Sequence, residues 1–459
     1  MLDNRDSIDF GKADIPRLFR SIFIPTLLGM LFNMAFIITD GIFVGHGVGA
    51  YGLASINLIA PIMTMINGTG MMFGIGVTVV AAIHLAKGNL KAARINITQS
   101  FLGGAMVGAM LAVICYSLPN TILRLVGTSP ALFEETKVYY LWFLPTCLLL
   151  LVQTLGMFVI RLDGSPVFAM ISNIVPAIVN IIMDYVLIFP CGMGLKGAAL
   201  ATDIGQACGV ALVMYYMLFH TKQLHFYRLK GTLTSLRLTL RNIGYMIQVG
   251  FSGFLGELAM SVLMMTGNIM FGLYLGDDGV AAYSVACYLF PLIYMTYTAI
   301  AQSAQPILSY NYGANNPDRV RKTLRYSLSV ALLIGVLFML LMMLLPRTIV
   351  GIFINPDEMS HTLASRGLPL FSIGFIFMAV NLVVIGYLQS IEHSHAATVF
   401  TMLRGIVFMI SAYLLLPLAF GERGLWLAVP TAEIFTVGSM LFVPRAKIFA
   451  PDNKTATEV

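Results

Sequence analysis

Charged side chains are scarce in this sequence. Asp, Glu, Lys and Arg make up 10% of its 459 residues, where a soluble domain carries about 25%. So little charge cannot solvate a globular surface, and a water-soluble fold is excluded. A phosphate-cradling GxxxxGK[ST] loop is also missing, so the chain holds no ATPase domain. Its seven histidines show no HExxH spacing. Neither an enzyme nor a bound cofactor is expected. The five cysteines, Cys115, Cys147, Cys191, Cys208 and Cys287, lie in or beside apolar segments without metal-type spacing. They read as small packing residues and not as a disulfide framework. The first twenty residues, MLDNRDSIDFGKADIPRLFR, lack the basic start and short apolar core of a cleavable signal peptide. Targeting is then expected to fall to the first helix.

Apolar sequence fills the space that charge vacates. Hydrophobic residues make up 58% and the mean hydropathy is +0.86. Runs of about 20 apolar residues are long enough to cross a bilayer. Twelve are expected, at roughly 21–45, 52–83, 95–118, 138–160, 167–190, 197–219, 243–271, 279–309, 323–345, 367–390, 396–418 and 424–443. The chain is therefore read as an all-α polytopic membrane protein. With the N-terminus inside, 20 Lys and Arg fall in inner segments and 6 in outer ones, with Arg404 left over inside a span. That asymmetry puts both termini in the cytoplasm of a cell with the protein in its inner or plasma membrane. The net charge of +6 does not mark a nucleic-acid binder, because the basic residues sit in short loops between spans.

The chain repeats itself at an offset of 227 residues. Gly45, Gly49 and Gly52 match Gly272, Gly276 and Gly279, Arg94 matches Arg321, and Pro190, Gly194 and Gly197 match Pro417, Gly421 and Gly424. Six spans per repeat let both halves enter the membrane in the same direction. Such halves are expected to form two six-helix bundles related by a pseudo-twofold axis along the membrane normal, an architecture of transporters. The expected organisation is a cytoplasmic segment 1–20, an N-lobe 21–219, a basic linker 220–242, a C-lobe 243–443 and a tail 444–459.

Six ionisable residues interrupt the spans: Asp40, Asp184, Asp203, Glu257, Glu433 and Arg404. Intramembrane charges face the interior and mark function by default. Asp40, Asp184 and Asp203 are expected at one depth, roughly 8–10 Å below the outer surface at 1.5 Å per helical residue. Asn180 lies one turn from Asp184, and Thr202 adjoins Asp203. Carboxylates, an amide carbonyl and a hydroxyl suit a small hard cation such as Na⁺. Neighbouring carboxylates also favour binding of a proton. On the residues alone both uses stay open, and so does simple hydrogen bonding between helices. Glu257 and Glu433 sit near mid-membrane in the second half, where Glu433 corresponds to Gln206 and Glu257 to Met30. Arg404 either neutralises an acid or snorkels to the inner headgroups, and the snorkelling reading is preferred. The 29 methionines and 30 phenylalanines are mostly core or lipid-facing. Some can line a plastic cavity, and acids beside such surface select lipophilic cations.

Five segments together resemble a family: TDGIFVGHGVGAYGLASINLIAPI at 39–62, NIIMDYVLIF at 180–189, GLKGAALATDIGQ at 194–206, AQPILSYNYGA at 304–314 and GERGLWLAVPTAE at 421–433. In order and spacing the set is similar to the multidrug and toxic compound extrusion (MATE) transporters, over nearly the whole chain. The resemblance implies cation-driven antiport by alternating access and export of amphiphilic organic cations. It implies that Asp40, Asn180, Asp184 and Thr202 bind the coupling ion, Na⁺ or H⁺. Asp203, Glu257, Glu433, Gln206 and Arg404 are secondary candidates for substrate binding or coupling. Two departures shift weight to the N-terminal half. Other members carry the span-7 acid one turn later than Glu257, and span 10, FSIGFIFMAVNLVVIGYLQS, lacks their acid. Small-molecule substrate and membrane lipid are the expected partners, and the chain is expected to act as a monomer. A lipid-linked saccharide flippase is the alternative, but cavities for anionic headgroups call for Lys and Arg, and here acids outnumber bases five to one. A channel or receptor is a further alternative. It would need charged rings along a continuous path.

Overall fold

A computed structural model of the chain describes residues 9–126, 128, 130 and 132–442. The expected tail 444–459 and the first eight residues lie outside the described residues. By its internal contacts the chain divides between Phe254 and Leu255 into two compact units.

The first unit holds α1 (Ile15–Gly47), α2 (Ala50–Ala86), α3 (Leu90–Ser117), short α4 (Pro119–Leu125), α5 (Phe133–Phe143), α6 (Pro145–Leu162), α7 (Pro166–Ile188), α8 (Gly194–Tyr215) and the start of α9 (Leu233–Gly313). Local chemistry sets the ends. Asp14 accepts from the Arg17 N–H to cap α1, and Asn89 accepts from the Ala92 N–H to cap α3, each supplying an acceptor to an otherwise unpaired donor. The second unit continues with the rest of α9, then α10 (Pro317–Leu344), α11 (Pro346–Val350), α12 (Met359–Ser372), α13 (Gly374–Ser390), α14 (Ser394–Met402), a π-turn at Leu403–Val407, α15 (Phe408–Phe420) and α16 (Glu422–Phe442).

Ten described helices are long and apolar enough to cross a membrane, and the pair α12–α13, bent by 44°, makes an eleventh crossing. Helix α9 counts twice. Its 81 residues would run about 120 Å if straight, four times the hydrocarbon thickness of about 30 Å. It breaks at Gly276, where φ is 63° and ψ is −154°. Twelve crossings result, the number the hydropathy pattern gives, and the protein is a multi-pass membrane protein.

The 227-residue repeat is written into the backbone. Gly49 and Gly276, an offset apart, both take positive φ (100° and 63°), and so do Gly194 and Gly421 (both 55°). A side chain at these breaks would be strained. Asn316 caps α10 through the Arg319 N–H as Asn89 caps α3. Leu118 and Leu345 share one conformation, φ −127° and ψ 42° against −124° and 37°, before the matched short helices α4 and α11. The fourth crossing of each repeat is broken, at Leu144 between α5 and α6 and at Ile373 between α12 and α13.

The segment expected as a linker, 220–242, differs from a free loop. From Leu233 it is helical. Before that it is strapped to the first unit. The Asp163 carboxylate accepts from the backbone N–H groups of Lys222 (2.7 Å), Gln223 (3.0 Å) and Leu224 (3.0 Å), and from the Tyr216 hydroxyl (2.8 Å). Arg94 Nε donates to the Gln223 carbonyl at 2.7 Å, and the Tyr227 N–H donates to Thr98 Oγ1 at 2.9 Å. The start of α9 packs on α2 and α3: Gly250 lies against the Met72 carbonyl, Gly76 against the Met246 carbonyl, and Gln99 bonds Thr239 and Asn242. This close glycine packing is why the first unit extends to Phe254, eleven residues past the expected start of the C-lobe at 243.

Charge-assisted hydrogen bonds are worth roughly 1.5–3 kcal/mol each, so Asp163 is expected to anchor the strap. Asp163→Ala should lower the unfolding midpoint of the purified protein by several degrees and open 221–232 to limited proteolysis. Asp163→Asn, which keeps one acceptor oxygen, should fall between.

Candidate functional site: a donor-poor carboxylate pair in the first unit

Small residues bring the site together. Helix α7 lies on α1 where Gly29 faces Asn173. Helix α8 lies on α7 where a Cβ at Gly205 would come within 2.9 Å of the Pro176 carbonyl and 3.0 Å of Asn180 Cβ, and one at Gly197 within 3.0 Å of the Leu187 carbonyl. Membrane helices have no hydrophobic drive to associate and pack through such close approaches. Thr202 of α8 therefore reaches Asn180 of α7, whose Nδ2 donates to Thr202 Oγ1 at 3.4 Å; Thr202 in turn donates to the Ala198 carbonyl at 3.1 Å.

Asp40 of α1 and Asp184 of α7 bring their carboxyls within hydrogen-bonding reach of each other. All four side chains are buried: Asp184 is 0% exposed, Asn180 2%, Thr202 6% and Asp40 9%. One oxygen of Asp40, both of Asp184 and Oδ1 of Asn180 are buried without a hydrogen-bond partner. A buried carboxylate without a donor or counter-charge is strongly unfavourable. The cluster thus holds a surplus of oxygen acceptors and lacks positive charge. It contains no thiolate or imidazole, and no group of three His, Cys, Asp or Glu suited to a metal occurs among the described residues. An all-oxygen set of carboxylate, amide and hydroxyl matches a hard cation or a shared proton, and not a soft transition metal.

By depth Asp203 is expected with these acids, but the structure turns it away. Asp203 is half-buried, and Thr146 of α6 donates to its Oδ1 at 2.5 Å. The reason is helical geometry: one residue rotates the side chain by about 100°, so Thr202 faces α7 while Asp203 faces α6. Beside the cluster stands Tyr139 of α5, 1% exposed and within the field of all three aspartates. Nothing in the sequence marks it out, since a tyrosine in an apolar run reads as core. Gln206 has a buried, unpartnered Oε1. It lines a small pocket with Asn33, Phe36, Asn173, Pro176 and Asn180.

In the second unit Arg404 does not snorkel. It is 4% exposed and forks onto Glu433, Nε to Oε2 at 2.9 Å and Nη2 to Oε1 at 2.7 Å. Asn381 Nδ2 donates to the Glu433 carbonyl at 3.0 Å and to its Oε2 at 2.6 Å. The guanidinium also faces the Tyr294 ring at 5.8 Å. A residue near mid-membrane with a buried acid in reach gains more from pairing than from stretching to the interface. Glu257 is half-buried on α9, and Tyr294 lies in the field of both Glu257 and the pair.

The family model MatE matches this chain twice, at residues 25–186 and 254–414. The chain belongs to that family. One match per repeat agrees with the internal duplication. Among curated relatives, the multidrug export protein MepA of Staphylococcus saprophyticus is 23% identical over 437 residues, covering 95% of this chain and 94% of that protein. MepA of Staphylococcus aureus strain MRSA252 is 23% identical over 448 residues, with the same coverage. A solved structure described as the outward-facing conformation of a multidrug resistance MATE family transporter of the MOP superfamily superposes with a TM-score of 0.88 at 19% identity, over 96% of this chain and 98% of that one. A mutant of the Vibrio cholerae MATE transporter VcmN gives 0.86 at 21% identity, over 93% and 95%. These likenesses give the fold; the chain is a MATE-family transporter and not an enzyme.

The α7–α8 contact leaves no room at Gly205 because the nearest atom is backbone. Gly205→Val should lower the unfolding midpoint by several degrees, in keeping with overpacking costs of about 1–3 kcal/mol. At Gly438 a Cβ would meet no atom within 4 Å, and valine there should leave the midpoint unchanged.

Proposed function

We propose that this protein is a secondary active multidrug exporter, a cation/drug antiporter that expels lipophilic organic cations from the cytoplasm by alternating access. The coupling ion, Na⁺ or H⁺, binds at Asp40, Asn180, Asp184 and Thr202. The observation that carries this reading is the pair of facing, buried carboxylates, which with Asn180 hold four unpartnered acceptor oxygens. Such a pair is stable when it holds a cation or a proton and strained when it holds neither. Binding and release of one positive charge therefore changes the free energy of the first unit, which is what an ion-driven conformational cycle needs.

The small pocket beside the pair carries the amide oxygens of Gln206 and Asn180 and no Lys or Arg, a lining that favours a small cation over an anion. The staphylococcal relatives are multidrug export proteins by name, and this reading extends that activity to the present chain. The Lys and Arg asymmetry supports cytoplasmic termini.

Ethidium efflux from proteoliposomes under an imposed Na⁺ gradient, and separately under a pH gradient, is the test. Wild-type protein should respond to one of the two. Asp40→Asn and Asp184→Asn should each reduce gradient-driven efflux at least tenfold while inserting to wild-type levels. Normal efflux by both variants would contradict the assignment.

A further inference from the structure

The second unit carries the repeat counterpart of the pocket just described, with its chemistry replaced. Gln206 of α8 corresponds to Glu433 of α16 at the offset of 227, and Arg404 falls opposite Pro176–Ala177 of α7, since α7 and α14 start 228 residues apart. Both Ala177 and Gln206 line the pocket of the first unit. Thr202 of α8 corresponds to Val429 of α16, so a hydroxyl of the first unit's pocket has become apolar. The correspondence is structural as well as sequential. Helix α16 starts after Gly421 as α8 starts at Gly194, both glycines at φ 55°.

What fills the counterpart is a cation. The Arg404 guanidinium meets both oxygens of Glu433 in a fork, and Asn381 holds the same carboxylate at 2.6 Å. Glu433 and Asn381 are each 0% exposed, and Asn381 Oδ1 is buried without a partner. The backbone is shaped for this side chain. Arg404 sits in the π-turn Leu403–Val407, whereas the equivalent stretch of α7 carries Pro176 in a helix without a π-turn. Gly405 presses that turn onto α9 so closely that a Cβ would overlap Ala259. π-Turns are rare overall and frequent at functional sites.

We infer that Glu433 and Asn381 form a cation site whose occupant is the chain's own Arg404. The tethered guanidinium is present at very high effective concentration. It excludes Na⁺ and organic cations from this site, so Glu433 holds a fixed counter-charge. The ligand class of the site is a planar guanidinium or amidinium, recognised by a bidentate carboxylate with an amide beside it. None of this depends on ion coupling in the first unit, since the pair is closed within the second.

Removing the tether should expose the site to a free ligand. The experiment compares full-length wild type, Arg404→Ala and Arg404→Ala/Glu433→Gln, purified in detergent, by thermal unfolding with millimolar guanidinium chloride or equal KCl. Arg404→Ala leaves a guanidinium-sized space beside an unpaired carboxylate. Its midpoint should lie well below that of wild type and should rise by several degrees with guanidinium and not with KCl, as ligand binding to the folded state requires. Wild type, with the site filled, and the double variant, with no charge to neutralise, should respond to guanidinium no more than to KCl. An equal response of Arg404→Ala and the double variant would overturn the inference. Should Arg404→Ala fail to survive purification in KCl, membranes are solubilised with guanidinium chloride in its place. Recovery of monodisperse protein only with guanidinium supports the site; equal recovery in the two salts, or none in either, overturns it.

Discussion

Two carboxyls face each other inside a membrane-spanning helix bundle, and three of their four oxygens are buried without a hydrogen-bond partner. The proposed ion coupling rests on that. Burying one unpaired carboxylate already costs several kcal/mol, and two in contact repel as well. The unit can keep Asp40 and Asp184 together only by holding a positive charge between or upon them. The scaffold enforces the encounter: α1 approaches α7 where Gly29 faces the Asn173 side chain, and α8 approaches α7 through Gly197 and Gly205, where larger residues would meet backbone atoms. On the proposed function, the coupling ion is that positive charge.

The second unit solves the same problem differently. It has inherited the backbone, down to the caps at Asn89 and Asn316 and the paired glycine breaks, but its buried acid comes with a permanent partner. An Arg–Glu fork with an amide brace is internally balanced and has no need of a mobile charge. Duplication followed by such divergence leaves an unpartnered acid pair in one unit and a paired acid in the other, on a single scaffold. What the second half retains of the first is shape, not ligands.

Much of this was legible in the sequence. Hydropathy counted the twelve crossings, because the period of the pattern and the width of the bilayer leave little choice. The constant offset found the two repeats, and Asp40, Asn180, Asp184 and Thr202 stood out because polar atoms inside spans are rare. Other features needed three dimensions. Asp203 shares its depth with the acid pair but points to Thr146, and depth alone says nothing of azimuth. Arg404 reads as a snorkelling residue in sequence because its partner Glu433 is 29 residues away. Tyr139 is hidden in an apolar run. The strap at 221–227 reads as a loop because Asp163 holds it through backbone N–H groups, which leave no trace in side-chain pattern.

The most direct test of the central claim is to count the positive charge displaced when an organic cation binds. Ethidium would be added to purified protein in weakly buffered detergent solution, with proton release read by a pH indicator and ²²Na⁺ release read on the same sample. Wild-type protein should give up H⁺ or Na⁺ in proportion to ethidium bound, and Asp40→Asn/Asp184→Asn should give up neither. The same release from the double variant would show that the carboxylate pair is not where the exchangeable charge resides.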